Sequence, residues 1–153
     1  MSASALRYTS QTSSQTLREG LAEYYERNPA LLDPAHMTQE AAELFRQHDA
    51  AHVVFGCDTS LRGETLIDTW TIFGSTLGLR GYLAYLRLPQ VNQLFAEAGF
   101  LGIAGVLLCS LGDVLRVARR GARLRRKWPW RVYAEQLDRP LAELREHYGI
   151  RVV

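Results

Sequence analysis

Two histidines four residues apart, His48 and His52, with Asp49, Ala50 and Ala51 between them, constrain this chain more than any other feature. An α-helix turns once every 3.6 residues, so side chains at i and i+4 lie one above the other and both imidazoles can face one point. Asp49 sits roughly 100° round the same helix, at the edge of that face. The apolar residues Ala41, Leu44, Phe45 and Phe55 share the stripe with the histidines, which turns the imidazoles inward. Buried imidazoles and carboxylates are costly without partners, and joint coordination of a cation removes that cost. Glu64 must reach the site from the next element, because Gly56 and Gly63 bracket residues 57–62 as a turn. The pattern predicts a metal site between two central helices, held by His48, His52 and Glu64, with Asp49 as a fourth ligand or as a partner to one of the three.

The rest of the chain reads as further helices around that pair. A length of 153 residues with 47% hydrophobic content suits one domain with a sizeable core. Leu17, Leu21, Tyr24 and Tyr25 have helical spacing from 17 to 27, and Pro29 ends the run. Residues 31–34 form a connector, and Thr38 is a suitable N-cap for the histidine helix. Residues 66–88 are apolar on most sides and predict a central helix, opened by Glu64 and stopped by Pro89. Asp68 follows one turn later and reads as an acid favoured by a helix N-terminus. After 90–98 comes the uncharged run 100–112, which at about 1.5 Å per residue is roughly 20 Å long, too short for a bilayer core of about 30 Å. Pro140 opens a last helix over 141–148, closed by Gly149. No Asn-Gly or Asp-Gly hairpin and no alternating stretch occurs, so the expected fold is all-α: a single-domain helical bundle. Residues 1–15 are rich in Ser and Thr, carry no acid and lack an apolar run. They exclude a secretory signal and predict a disordered tail before a helical domain over 16–153.

Charge and small residues add two features. The net charge of +2 is too small to argue for nucleic acid, and no nucleic-acid motif is present. Locally, however, Arg116, Arg119, Arg120, Arg123, Arg125, Arg126 and Lys127 precede Trp128-Pro129-Trp130, a pairing of basic and amphipathic aromatic residues suited to an anionic membrane surface. Gly102, Gly105, Cys109 and Gly112 leave one side of a helix almost free of bulk, either to seat a neighbouring helix or to form a slot for a slender apolar ligand. Cys57 and Cys109 give no disulfide framework; Cys57 lies near the motif, as a further ligand or a small packed side chain, and the latter reading is preferred.

The spacing His48-Asp49-x-x-His52, eleven residues, then Glu64 is similar to the signature of the ubiquinone (coenzyme Q) biosynthesis family known as Coq-four. The segment Trp130-Arg131-Val132-Tyr133-Ala134-Glu135-Gln136-Leu137-Asp138-Arg139-Pro140-Leu141-Ala142-Glu143-Leu144-Arg145 resembles that family's closing region, and the likeness runs loosely from about Leu17 to the end. The resemblance implies zinc, although two histidines and a carboxylate suit non-haem iron equally well. It implies an enzyme that removes the ring carboxylate of a polyprenylated hydroxybenzoate precursor with replacement by oxygen, His48, Asp49, His52 and Glu64 being the catalytic residues. The alternative is a non-catalytic lipid-binding scaffold that organises other ubiquinone-biosynthesis enzymes around a structural metal. The implied partners are a polyprenyl aromatic lipid, a membrane surface and those enzymes; a homo-oligomer is compatible with this. The expected location is the cytoplasmic face of a bacterial membrane, or the matrix face of the mitochondrial inner membrane. With such a substrate, Gly102, Gly105 and Cys109 line the lipid slot and Arg62 is the counter-charge for its headgroup. An HD-type metal phosphohydrolase would draw on His36 and Asp113 and leaves Glu64 without a role. A zinc protease of the H-E-x-x-H kind lacks its glutamate, which Asp49 replaces.

Overall fold

Thr16 ends an extended segment and starts the first helix. Its hydroxyl accepts the Glu19 amide while the Glu19 carboxylate accepts the Thr16 amide, so α1 (Leu17–Arg27) begins with two otherwise orphaned donors satisfied. The computed structural model describes residues 5–29, 31, 37–87, 89, 91 and 100–153. In the same way Thr38 caps α2 (Gln39–Phe55) and Ser60 caps α3 (Leu61–Gly74). Helices α4 (Gly78–Tyr85), α5 (Phe100–Ala122) and α6 (Leu141–Tyr148) follow, with short 3₁₀ turns at Arg7–Thr9 and Trp130–Gln136. The protein is all-α, and among the described residues the only β pairings are isolated bridges, Thr16 with Pro140 and Ser75 with Trp128.

One core holds the bundle together. Ala50, Ala51, Val53, Val54 and Phe55 of α2 pack with Leu66, Ile67 and Trp70 of α3, and with Leu141 and Leu144 of α6. Phe55 and Trp70 stack at 4.7 Å between ring centroids, which locks the end of α2 against the middle of α3. A smaller cluster, Tyr82, Tyr85 and Val91, packs with Leu44, Phe45 and Ile72 and covers the start of α2. Helices α3 and α5 run side by side in the same direction: Arg62 meets Asp113 near the start of α3, and Gly121 lies against Phe73 and Gly74 at its end. The first half of α5 therefore extends beyond the start of α3.

Three expectations need correction. The single helix expected over 66–88 is two helices, and the first starts at Leu61 rather than Glu64. The break follows from Trp128, whose amide donates to the Gly74 carbonyl (2.8 Å) and whose carbonyl accepts the Thr76 amide (2.9 Å), so backbone groups there bond across the fold instead of along the helix. Residues 5–15 are packed, not a disordered tail. Tyr8 is buried, the Arg7 and Tyr8 amides donate to the Glu23 carboxylate, and the buried Arg145 guanidinium donates to the carbonyls of Tyr8 and Ser10. Trp128 and Trp130, read as interfacial, are 0% and 1% exposed and belong to the core. Paired tryptophans beside a basic run carry no sign of which way their rings turn; the bridges to Gly74 and Thr76 turn these inward. The segment read over 90–98, most of the connector over 31–34, and His36 lie outside the described residues, apart from Leu31 and Val91.

Candidate metal centre

Glycine shapes the turn that brings Glu64 to the histidines. Gly56 ends α2 at φ 70°, a left-handed conformation that glycine adopts without steric cost, and its amide returns to the His52 and Val53 carbonyls. Gly63, in the first turn of α3, lies so close to Asp58 that a Cβ there would overlap the Asp58 carbonyl and side chain. The Asp58 carboxylate in turn accepts the amide and hydroxyl of Ser60, the residue that caps α3. The turn is thereby tight enough to place Glu64 one short loop away from His52.

At the site, His48, His52 and Glu64 each present a ligand atom, all within 4.8 Å of one another. Ligand atoms about 2.0–2.2 Å from one tetrahedral ion stand about 3.4 Å apart, so a pair at the 4.8 Å limit would draw together by about 1.4 Å. Nδ1 of His52 lies 3.2 Å from the Cys57 carbonyl oxygen, an acceptor, so Nδ1 carries the proton and donates it there. The Nε2 lone pair then faces Glu64 Oε1 at 3.4 Å, and Nε2 is buried with no hydrogen-bond partner among the described residues. Two acceptors turned toward each other need a cation between them. A proton can fill that role, and so can a metal ion, for which a backbone-bonded Nδ1–H is the usual second support.

Electrostatics divides the two histidines. Burial, with the neighbouring His52, pushes His48 down to about 3, so its imidazole is neutral and available as a ligand. Burial works against protonation of His52 as well, but Glu64, Asp49 and the Cys57 carbonyl outweigh it and raise its value above that of an ordinary histidine. Glu64 is held below the usual carboxylate range: burial opposes its ionisation, yet His52 and His48 favour it more. Its side chain stays 40% exposed, so the cluster is open on the Glu64 side and closed on the His52 side.

Asp49 is not a member of the three-atom cluster. Its carboxylate accepts Tyr25 Oη at 3.0 Å and Tyr24 Oη at 3.3 Å, and it acts on His52 through its charge. Burial raises its carboxyl to about 6 against the opposing pull of His52 and the tyrosines. Aromatic rings fix the imidazoles: His48 stacks on Tyr85 at 5.6 Å and touches the edge of Trp130, while Tyr24 lies 5.4 Å from His52. Comparison with family models, curated proteins and solved structures found no match.

The remaining sequence candidates lie apart from the cluster. Arg62 donates through Nε to Asp113 at 3.1 Å, tying α3 to α5, and this engages the charge expected to meet a headgroup. Asp113 also accepts Arg116, so it is not turned toward the histidines as an HD-type site would need. Gly105 and Cys109 are exposed on α5, nothing among the described residues lies within 4 Å of a Cβ added at Gly105, and the surroundings of Gly102 are outside the described residues. Cys57 is a packed core residue whose carbonyl, not its thiol, serves the site. Asp68 differs from its sequence reading. It stands two turns into α3, bonds Tyr82, and has its carboxyl pushed up to about 7 chiefly by burial. Sequence reasoning also missed Tyr24, Tyr25 and Tyr85 as supports; the doubled tyrosine of α1, one ring buried and the next exposed, was the available signal.

Proposed function

We propose that the protein holds one divalent cation between α2 and α3 through His48, His52 and Glu64, zinc being the preferred ion and non-haem iron the alternative. The function proposed is removal of the ring carboxylate from a polyprenylated hydroxybenzoate-type precursor of ubiquinone and its replacement by a hydroxyl, with dioxygen as the oxidant because zinc carries no electrons: the aromatic acid, water and O2 give the phenol, CO2 and hydrogen peroxide. The metal reading is carried by His52 Nε2, buried without a hydrogen-bond partner among the described residues and facing the Glu64 carboxylate. The substrate class is supported by the H-D-x-x-H, eleven residues, E spacing.

An ion at this position supplies Lewis acidity toward a carboxylate or phenolate oxygen. The exposed flank of Glu64 is the side on which such a group meets the cluster. His48, pinned against Tyr85 and Trp130, keeps its ring direction when the open side is filled. Asp68, one helical turn beyond Glu64, has a carboxyl near neutrality and holds or releases a proton beside Tyr82. A second reading is favoured by the ligands coming from both α2 and α3: the ion fastens the two helices, and the protein presents the lipid to other biosynthesis enzymes.

Elemental analysis of protein purified without added metal tests the centre. One equivalent of metal, sharply reduced by His52→Ala, is expected, and unchanged metal content in that variant excludes the assignment. Aerobic turnover of the precursor by metal-loaded protein supports the enzyme. Binding of the precursor without turnover supports the scaffold, and a fully retained fold after chelation counts against a purely structural ion.

A further inference from the structure

One backbone oxygen joins the N-terminal segment to the metal cluster. The Cys57 carbonyl, in the turn between α2 and α3, accepts His52 Nδ1 at 3.2 Å and also Tyr8 Oη at 3.3 Å. A carbonyl oxygen has two lone pairs, so both bonds are held at once. Tyr8 is 49 residues from Cys57 in the chain and fully buried. It meets the cluster by a second route as well: its ring packs on the edge of Tyr24 at 6.1 Å between centroids, and Tyr24 in turn lies beside His52. The segment that carries Tyr8 is fastened away from the ligands. The Arg7 and Tyr8 amides donate to Glu23, and the Arg145 guanidinium joins the Tyr8 and Ser10 carbonyls to those of Val53 and Val54.

The Cys57 peptide needs such an anchor. Its amide is fixed on the His52 carbonyl at 2.9 Å, but among the described residues its carbonyl has no donor besides Tyr8 and the imidazole that it orients. We infer, on the basis of the cation site proposed above, that Tyr8 is a positioning residue of that site: by holding the Cys57 carbonyl it keeps the His52 proton on Nδ1 and leaves Nε2 bare for the ion. Which imidazole nitrogen is bare is set by the hydrogen bond that the other one makes. A carbonyl free to swing away lets the neutral ring carry its proton on Nε2, where it blocks coordination. Groups that orient a ligating histidine are worth about 10–100-fold in metal affinity, and Tyr8 acts one bond further out, so the lower figure applies. The coupling is reciprocal: the factor that the docked segment adds to metal affinity is the factor that bound metal adds to docking. Residues 5–15 are thereby a working part of the centre.

Tyr8→Phe keeps the ring and removes only the hydroxyl. Glu23→Gln is its control, because it weakens the hold on the Arg7 and Tyr8 amides and leaves Tyr8 Oη in place. Zinc affinity of the full-length proteins is measured by competition with a chromophoric chelator. Proton–nitrogen correlation spectra of the zinc-free proteins at about pH 8.5 show which nitrogen of His52 carries the proton, His52→Ala identifying the signals. The parent should show the proton on Nδ1. Tyr8→Phe should bind zinc about tenfold more weakly and show a mixture of both tautomers, while Glu23→Gln matches the parent in both readouts even where its melting temperature falls as far. Parental affinity and tautomer in Tyr8→Phe overturn the inference, and so do affinity losses in both variants that simply follow melting temperature. A parent that binds no zinc overturns the cation site itself, a result visible before any variant is made. The unaltered chain gives a reading that no substitution can spoil: saturating zinc should slow hydrogen exchange of the Arg7 and Tyr8 amides about tenfold, and unchanged exchange refutes the coupling.

Discussion

Replacing Glu64 by Gln separates a metal site from an ordinary buried ion pair, because the two make opposite demands on pH. The change keeps the shape of the side chain and removes the charge that faces His52 Nε2 at 3.4 Å. Without metal, the interaction is that of a protonated His52 with the Glu64 carboxylate. His52 titrates above its ordinary value in the fold, so the pair contributes stability that is fully present below about pH 6.5 and is lost as pH rises through the folded value. At about pH 6 the metal-free variant leaves the fully buried Nε2–H without its acceptor charge, which costs about 1–3 kcal/mol, the lower end being apt because Glu64 is 40% exposed. For a chain of this size that is a fall in Tm of roughly 3–9 °C at about 3 °C per kcal/mol. At about pH 8.5 the two metal-free proteins should melt much closer together. With zinc the pH dependence of the gap reverses. Coordination requires the bare Nε2, so zinc binding strengthens with pH, and zinc at a hundred times its Kd adds about 2.7 kcal/mol to the parent, roughly 8 °C. Glu64→Gln should show little of that gain. The assay is a set of thermal melts of both proteins at both pH values, in zinc and in chelator. Equal zinc stabilisation of parent and variant at about pH 8.5, or none in the parent, refutes the assignment of Glu64 as a ligand.

Further outcomes follow from individual side chains. Arg145→Met removes a buried guanidinium that donates to the Val53 and Val54 carbonyls at 2.9 Å and to those of Tyr8 and Ser10; it should destabilise by about 3 kcal/mol or more in denaturant melts, and amide exchange should show residues 5–15 released first. Asp49, with its carboxyl raised to about 6, favours the fold while protonated, so metal-free protein should lose stability as pH climbs from about 4 to about 6; Asp49→Asn should flatten that slope, worth about 3 kcal/mol, in urea midpoints taken across the range. Gly63→Ala should cost about 1–3 kcal/mol by driving a methyl into Asp58, and because the same turn sets Glu64, metal affinity should fall with stability in titrations of the variant.

Much of the bundle was legible because its cues are local. Thr38 reads as the cap of α2, Gly56 and Gly149 close two helices, and the i, i+4 histidines read correctly as an inward pair, whereas Ser60 caps α3 at Leu61, three residues before the opening expected at Glu64. The grouping of His48 and His52 with Glu64 was legible for the same reason, since only a short turn separates the two helices and its glycines mark it. What local pattern does not contain is partner choice between distant residues. The break after Gly74 depends on Trp128, more than fifty residues away, and the packing of the N-terminal segment depends on Arg145. Asp49 and Arg62 have the chemistry of site residues, yet Tyr24, Tyr25 and Asp113 engage them, because each finds in the assembled fold a nearer partner that satisfies its charge. The sequence by itself determined the all-α class, most of the helices and the residue types at the centre. Tertiary structure decided which polar groups were already satisfied, and so left His52 Nε2 and Glu64 facing each other.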